Sequence, residues 1–232
     1  MPTYNRRRFV SQSICYFLRQ DYPARELIIV DDGSDAMADL VPKDERIRYV
    51  RLDKRHSVGA KRNLAGEASR GQLIAHWDED EWYAPNRLSL QVAELLSSEK
   101  DVCGTSERLF YHLTAEQAWL YRGYPSDGRP WLADSTLLYR RSAWKAHPFP
   151  ERNVGQESAF VWQLVPERLH AIANSSLSVS IIHQHNTAAK SLRGPRWQRR
   201  PLREVTQLLA AEQDFYEALR NGRPVPHPSI IL

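Results

Sequence analysis

The stretch Leu27-Ile28-Ile29-Val30-Asp31-Asp32-Gly33-Ser34 decides the fold of this chain, because four apolar residues are followed at once by two carboxylates and a glycine. A short apolar run bounded by turn residues is typical of a buried strand in a parallel sheet. Ligands of open α/β sheets bind beyond the carboxyl ends of such strands, so Asp31 and Asp32 are predicted to lie beside a ligand.

A second segment repeats the pattern, because the apolar residues 73–77 run into Asp78-Glu79-Asp80-Glu81. Two acidic strand ends at one edge of a sheet repel each other unless a cation or hydrogen-bond donors lie between them. The sequence therefore predicts a positive partner at this edge.

Helical and extended patterns alternate along the first half of the chain. Apolar spacing predicts helices over residues 6–20, 59–68 and 86–97, and strands over residues 27–30, 47–52, 73–77 and 102–105. This alternation predicts an α/β fold with a mostly parallel, Rossmann-like, doubly wound sheet and helices on both faces. A late strand over residues 177–182 and an amphipathic helix over residues 202–219 complete the prediction.

Aromatic side chains are frequent between residues 106 and 150, among Gly and Pro breaks. This texture predicts loops and short strands that line a groove. The aromatic rings either stack on sugar rings or belong to the core, and the core is the more common place for them.

The composition is that of an ordinary globular chain of 232 residues, with 42% hydrophobic residues and a net charge of +4. There is neither an apolar run of about 20 residues nor a signal-peptide pattern, which predicts a cytoplasmic protein. Cys15 and Cys103 have no metal-site spacing and are predicted to be free thiols. Basic residues cluster between Arg193 and Arg203, as a solvated face or as a site for anionic lipid headgroups or a charged acceptor.

Five motifs, in this order over residues 1 to about 187, resemble the family 2 glycosyltransferases of the GT-A fold. They are Met1-Pro2-Thr3-Tyr4-Asn5-Arg6, Gln20-Asp21-Tyr22-Pro23, residues 26–34, Gly59-Ala60-Lys61-Arg62-Asn63 and Trp77-Asp78-Glu79-Asp80-Glu81-Trp82-Tyr83-Ala84-Pro85.

The resemblance implies a nucleotide-sugar donor, usually a UDP-sugar, and a divalent cation, Mn²⁺ or Mg²⁺, that bridges the diphosphate to a D-x-D motif. By similarity Asp80 is the metal ligand, Asp78 contacts the ribose or the metal, and Glu79 lies in the donor site. Such a cation neutralises the charge that develops on the leaving diphosphate, and Mg²⁺ prefers carboxylates together with phosphates. A solvated acidic turn is the alternative interpretation of this segment.

The resemblance also implies the remaining donor contacts. Pro2, Thr3 and Tyr4 would form the loop beside the uracil, and Asp32 would accept a hydrogen bond from the base. Lys61 or Arg62 would face the base or the phosphates. Asp31 and Asn63 are expected to serve local backbone groups instead.

The family places its catalytic base in a G-(E/Q)-D stretch at a helix start, and Gly155-Gln156-Glu157 occupies that place here, with Glu157 in the position of the usual Asp. A carboxylate fits the role, because the base takes the proton of the acceptor hydroxyl as that oxygen attacks the anomeric carbon. In-line attack inverts the anomeric centre. The alternative role of Glu157 is to complement the helix N-terminus.

Some family members end a late strand with a His followed by Asn-Thr, and His183 with Asn186-Thr187 matches that spacing. The resemblance makes His183 a further metal ligand or a diphosphate contact. A hydrogen-bonded surface histidine is the alternative for His183, and it is the favoured interpretation of His185.

Family members begin with an apolar strand, whereas this sequence starts at the loop that follows it. The first strand is therefore expected to be missing or reduced to Met1. An empty central slot leaves buried backbone groups unpaired, so the chain is expected to be marginally stable or to bind its donor weakly.

The resemblance thus implies an inverting, metal-dependent glycosyltransferase that moves a sugar from a UDP-sugar to a glycan, lipid-linked or protein acceptor in bacterial surface polysaccharide or glycoconjugate synthesis. Nucleic acid is not an expected partner, and peripheral contact with the inner membrane face is possible through residues 193–203. The alternatives are a nucleotidyltransferase on a related fold and a non-catalytic sugar-nucleotide- or glycan-binding protein. The predicted regions are a nucleotide-sugar-binding half (1–105), an acceptor-binding and catalytic-base half (106–200), and a C-terminal helix and tail (201–232).

Overall fold

The computed structural model describes residues 1–125 and 128–226, so the end of the predicted C-terminal tail lies outside the described residues. Strands and helices alternate over much of the chain up to residue 105, although two strands follow each other directly within residues 73–83 and only a 3₁₀ turn at residues 38–40 separates two others. The strands are β1 (Pro2–Thr3), β2 (Leu27–Asp31), β3 (Ile47–Arg51), β4 (Leu73–Ala75), β5 (Glu81–Tyr83), β6 (Val102–Thr105), β7 (Glu107–His112), β8 (Gln117–Arg122), β9 (Leu138–Arg140), β10 (Leu169–Ile172), β11 (Ser178–Ile182) and β12 (Trp197–Arg200). The α-helices are α1 (Arg7–Leu18), α2 (Val58–Ala68), α3 (Arg87–Ser97), α4 (Arg141–Ala146), α5 (Gln156–Gln163), α6 (Leu202–Thr206) and α7 (Gln213–Arg220).

The α/β fold is confirmed, with parallel pairing concentrated in part of the structure. β1, β2 and β3 form a parallel sheet in that order, and all five residues of β2 are buried. A second sheet has the order β10-β6-β9-β4, in which β9 runs antiparallel to both of its neighbours. Since β9 follows the hairpin of β7 and β8 rather than a crossover helix, it enters the sheet in the opposite direction.

The third sheet, of order β12-β8-β7-β11-β5, is mostly antiparallel and carries the aromatic region. The rings of Phe110, Tyr121, Trp131 and Trp197 pack against one another, with centroids 4.8 to 5.2 Å apart. Short strands alternate with loops between residues 106 and 150, as predicted, and these rings chiefly serve packing.

The acidic segment Asp78–Asp80 lies in the connection between β4 and β5, since β4 ends at Ala75, two residues earlier than predicted, and β5 begins at Glu81. β5 pairs antiparallel with β11, whose last residue, Ile182, directly precedes His183. This pairing brings the two predicted metal-binding segments together.

The first strand is short, as expected, but it consists of Pro2 and Thr3 rather than of Met1 alone. Pro2 pairs with Val30, and the Met1 amine donates a 2.7 Å hydrogen bond to the Ile28 carbonyl. A groove of about 600 Å³ beside Met1 lies between the start of β2 and the strand β4. β4 is the last strand in the order of its sheet. All three residues of β4 are half-exposed, because no strand is paired along this edge within the described residues.

The predicted C-terminal helix is interrupted, because residues 207–212 form a turn and a short 3₁₀ segment between α6 and α7. The interruption brings Glu212 against Trp82, whose indole Nε1 donates to the carboxylate at 3.0 Å, and against Arg19. In α7 the Tyr216 hydroxyl lies 2.8 Å from that of Tyr16 on α1. The contacts of Glu212 and Tyr216 with Trp82, Arg19 and Tyr16 thus form at the expense of a continuous helix over residues 202–219.

Both cysteines are free thiols, as predicted. None of the helices in the described part of the chain is both long enough and apolar enough to cross a membrane. The proposed division into three regions stays a prediction.

Candidate functional site

A cleft of about 790 Å³ opens at the carboxyl end of β2 and collects the predicted site residues. Its walls come from the loop after β1, from α2, from the acidic connection, and from the start of α5. The predicted residues that line it are Pro2, Thr3, Tyr4, Lys61, Arg62, Asp78, Glu79, Asp80 and Glu157. Asp32 and His183 lie directly behind this lining, through contacts with Lys61 and Asp80.

At one end of the cleft, Asp32 and Lys61 form a buried ion pair. The Lys61 Nζ atom donates to the Asp32 carboxylate at 2.6 Å and to the Thr3 carbonyl at 2.8 Å. The other Asp32 oxygen accepts a hydrogen bond from the His56 amide at 2.7 Å. This pair therefore fixes the loop that carries Tyr4, and each Asp32 oxygen accepts one hydrogen bond within the described residues.

Tyr4 is covered by Arg55, whose guanidinium carbon lies 3.6 Å from the ring centroid. A guanidinium at this distance forms a cation–π contact. Together they line the end of the cleft nearest to Asp32.

Arg62 joins the two acidic parts of the cleft. Its Nη2 atom donates to Asp78 and to Glu157, each at 3.0 Å, although these residues come from distant parts of the chain. The Arg62 side chain is 7% exposed. Burial alone would lower its pKa, but the charges of Asp78 and Glu157 raise it, so Arg62 stays cationic.

Glu157 lies in the first turn of α5, which begins after Gly155. Gly155 has φ +76°, a left-handed conformation that favours glycine. One carboxylate oxygen of Glu157 accepts bonds from Arg62 and, at 2.6 Å, from the Gln156 amide. Burial raises the pKa of Glu157 despite the charge of Arg62, which makes it a stronger base than an exposed glutamate.

The acidic connection is held by hydrogen-bond donors and a cation of the protein itself. Asp80 accepts a 3.1 Å hydrogen bond from His183 Nε2, while His183 Nδ1 accepts one from the His185 amide at 3.2 Å. Burial alone would raise the pKa of Asp80, but the His183 bond and the nearby charges lower it. Glu79 lies 3.6 Å from Arg6, and burial together with the charge of Asp80 raises its pKa to about 8.

The donor set fits a hard divalent cation that is only partly held by protein. No group of three or more His, Cys, Asp or Glu side chains in the described ranges converges as a metal site. Asp78 and Asp80 are nevertheless both at the cleft, and Mg²⁺ commonly takes one or two carboxylates together with substrate phosphates. Both ring nitrogens of His183 are engaged, so its geometry favours the orientation of Asp80 over direct ligation.

Of the two residues expected to serve local backbone groups, Asp31 does so, whereas Asn63 bonds to a residue far along the chain. Asp31 is fully buried and accepts the Gly33 amide at 2.8 Å and the Tyr49 hydroxyl at 2.6 Å. Asn63 joins α2 to the segment before α5 through the amide and the carbonyl of Phe149.

Sequence reasoning missed Arg108 and Asp134, which also line the cleft. Arg108 on β7 donates to Glu81 at 2.6 Å and contacts Asp134 on the turn before β9. Neither residue stands in a motif with a fixed spacing. A buried arginine on an apolar strand is a weak signal that a carboxylate lies opposite, but the sequence does not say which one.

The sequence matches the family model described as "Glycosyl transferase family 2" over residues 1–147. WcaA of Escherichia coli K12, assigned by name to colanic acid biosynthesis as a glycosyl transferase, is 32% identical over 70% of this chain and 55% of its own length. WfgD of Escherichia coli, named as a UDP-Glc:alpha-D-GlcNAc-diphosphoundecaprenol beta-1,3-glucosyltransferase, is 31% identical over 42% of this chain and 40% of its own. The chain thus spans about half the length of these relatives.

Two solved structures resemble the fold. Staphylococcus aureus TarS 1–349 in complex with UDP-GlcNAc superposes with a TM-score of 0.65 at 17% identity, over 95% of this chain and 72% of that one. The mannosyltransferase PcManGT of Pyrobaculum calidifontis, in complex with GDP-Man and Mn²⁺, gives a TM-score of 0.60 at 17% identity, over 97% of this chain and 64% of that one.

Proposed function

The chain belongs to glycosyl transferase family 2, and we propose that it transfers a sugar from a UDP-sugar to an acceptor hydroxyl with inversion at the anomeric carbon. One observation carries the proposal: a single arginine, Arg62, joins the acidic connection at Asp78 to Glu157 within one cleft. The donor diphosphate would thus bind beside Asp78, and Glu157 would lie a few ångströms away as the base for the acceptor hydroxyl.

The nucleotide would bind at the end of the cleft nearest to Asp32, which lies behind Lys61. Uracil would lie beside Pro2, Thr3 and Tyr4 and would donate its ring N–H to Asp32, since the Lys61 ion pair leaves lone pairs on this carboxylate. The UDP-GlcNAc in TarS and the UDP-Glc in the name of WfgD support a uridine nucleotide. The GDP-Man in PcManGT makes GDP-Man the alternative to be measured.

Asp78 and Asp80, with Glu79 beside them, would hold a divalent cation, Mn²⁺ or Mg²⁺, against the diphosphate. When bound, that cation would neutralise charge on the leaving group. The chain's own contribution is orientation. His183 and Asn186 fix one oxygen of Asp80, and Arg62 fixes Asp78 beside Glu157.

Glu157 would take the proton of the acceptor hydroxyl. Its oxygen that is not bonded to Arg62 and Gln156 is available for this step, and burial raises its pKa toward the range of an efficient base. Proton removal as the hydroxyl attacks the face opposite the diphosphate would convert an α-linked donor into a β-linked product.

The acceptor would be a glycan, lipid-linked or protein substrate of bacterial surface polysaccharide synthesis, as the names of WcaA and WfgD suggest. Membrane contact through the basic residues 193–203 belongs to the same proposal. Part of this charge is already engaged, because Arg200 is paired with Glu204 at 2.8 Å and Arg196 stacks on Tyr124.

The test is release of nucleotide from UDP-Glc, UDP-GlcNAc and GDP-Man with Mn²⁺, followed by chromatography of the products. A glycosyltransferase releases UDP or GDP, slowly to water and faster with an acceptor. A nucleotidyltransferase would instead form pyrophosphate from a nucleoside triphosphate and a sugar phosphate, and a binding protein would release nothing. Either of these results would overturn the proposal.

A further inference from the structure

Asp134 is anchored at the cleft by its own backbone. It begins a short 3₁₀ turn, Asp134–Thr136, between β8 and β9. Its carbonyl lies 2.8 Å from His76 Nδ1, two residues before the acidic connection, and the following residues, Ser135 and Thr136, are completely buried. A residue held in this way has a fixed position relative to Asp78.

The side chain of Asp134 is fixed through one oxygen only. Its Oδ1 atom accepts hydrogen bonds from Arg108 and, at 2.9 Å, from the Ser135 amide. Arg108 is immobilised in turn by Glu81 at 2.6 Å. In the described part of the chain Oδ2 has no hydrogen-bond partner, and the side chain is 47% exposed although Arg108 is buried. One oxygen of a rigid carboxylate is thus presented to the cleft.

The charges around Asp134 select the kind of group that it would bind. Arg108, Lys190 and Arg62 lower its pKa against the effect of burial, so the carboxylate is ionised and is a weaker base than Glu157. These cations disfavour a positive ligand, and the carboxylate itself repels a phosphate. A neutral hydroxyl donor satisfies both conditions, and hydrogen bonds to an ionised acceptor are the strong ones.

We propose that Asp134 is a specificity-determining residue that accepts hydrogen bonds from hydroxyl groups of the donor's sugar. The donor's sugar is chosen over the acceptor because the backbone of Asp134 is tied to the segment that leads into Asp78 and Asp80, where the diphosphate would bind. This inference rests on the proposed function and adds a residue that discriminates between sugars rather than between nucleotides.

The test compares binding of the free nucleotide with binding of its sugar conjugate. Calorimetry with Mn²⁺ would measure UDP and the UDP-sugar from which the wild-type protein releases UDP, in the wild type and in Asp134→Asn and Asp134→Ala. Loss of a hydrogen bond to a charged group should weaken binding of the UDP-sugar by about 10- to 100-fold and leave UDP binding within about twofold. GDP and GDP-Man replace this pair if only GDP-Man is turned over.

Asp101→Asn is the matched control, because Asp101 is also an aspartate paired with an arginine, Arg168, but lies away from the cleft. It should keep the wild-type ratio of the two dissociation constants. If both Asp134 variants keep that ratio, or weaken UDP binding as much as UDP-sugar binding, the inference is wrong. A wild-type protein that releases nucleotide from no donor would instead refute the proposed function, and the inference with it.

Discussion

Replacing Glu157 with Gln tests the proposed base with little change in shape. Glu157 is 12% exposed, and one of its oxygens accepts bonds from Arg62 and Gln156. A glutamine amide oxygen can accept the same two bonds, and Arg62 keeps its ion pair with Asp78. The variant therefore removes the proton acceptor while it preserves the contacts around it.

The expected loss follows from the role of the carboxylate. General-base catalysis typically contributes about 10²- to 10⁴-fold, which corresponds to roughly 2.7 to 5.4 kcal/mol in the barrier for transfer. The nucleotide would bind at the other end of the cleft, so donor affinity should change by less than about twofold. If Glu157 only complemented the N-terminus of α5, its charge would contribute about 0.3 to 1 kcal/mol to the stability of the protein. Its replacement would then lower the melting temperature slightly and leave turnover unchanged.

The pH dependence gives an independent check. Because burial raises the pKa of Glu157, wild-type kcat should fall as pH decreases through that raised value, and the remaining activity of Glu157→Gln should lack this limb. Stability has the opposite sign. A carboxyl whose pKa is raised on folding stabilises the native state below its unfolded pKa, and this stabilisation is lost as pH rises through the folded pKa. The free energy of unfolding of the variant, relative to that of the wild type, should therefore be higher at pH 8 than at pH 5.

The assay is release of nucleotide in the presence of an acceptor, with melting curves at both pH values. Glu167→Gln, an exposed glutamate outside the cleft, is the control and should keep wild-type turnover. If Glu157→Gln retains a tenth of the wild-type activity, or loses donor affinity by the same factor as turnover, Glu157 is not the base.

Three further changes test other parts of the structure. Asp80→Ala should abolish Mn²⁺-dependent UDP binding and leave the melting temperature nearly unchanged; equal binding in EDTA would refute a metal role. Gly59→Ala should destabilise the protein by about 1 to 3 kcal/mol, because a β-carbon there would lie 2.0 Å from the Pro150 carbonyl oxygen, and an unchanged melting temperature would show that this segment moves freely. Five Val/Ile-rich residues fused before Met1 should raise the melting temperature and tighten UDP binding, because they could pair in the groove between β2 and β4. The control is a fusion of five Gly/Ser-rich residues. No difference between the two fusions would mean that the groove does not accept a strand.

The predictions from sequence succeeded where a local pattern reports local structure. The apolar run 27–30 became a fully buried parallel strand, and the helix predicted over residues 86–97 differs from α3 by one residue. Errors arose where tertiary contacts compete with local pattern. The helix predicted over residues 202–219 is broken because Glu212 bonds to Trp82 and Arg19, two residues that no local spacing connects to it.

The cleft was predictable residue by residue but not as an arrangement. Motifs identified Arg62, Asp78 and Glu157 individually, yet their common contact joins positions 16 and 95 residues apart. Asp134 stands in no motif, and the orientation of its carboxylate depends on Arg108, which reaches it from another strand. Such pairings follow from the order of strands in the sheets, which sequence periodicity does not encode.

The cations and hydrogen-bond donors predicted between the acidic strand ends are largely supplied by the protein itself. Asp32 is paired with Lys61, Asp78 with Arg62, and Asp80 with His183. Acidity alone is therefore no argument for a metal ion. Glu79 and Glu81 differ, because burial raises the pKa of each to about 8, and both flank Asp80. Both carboxyls are therefore mostly protonated at neutral pH, so the cleft carries less negative charge than its acidic residues suggest, and a divalent cation beside Asp80 would favour the release of these protons.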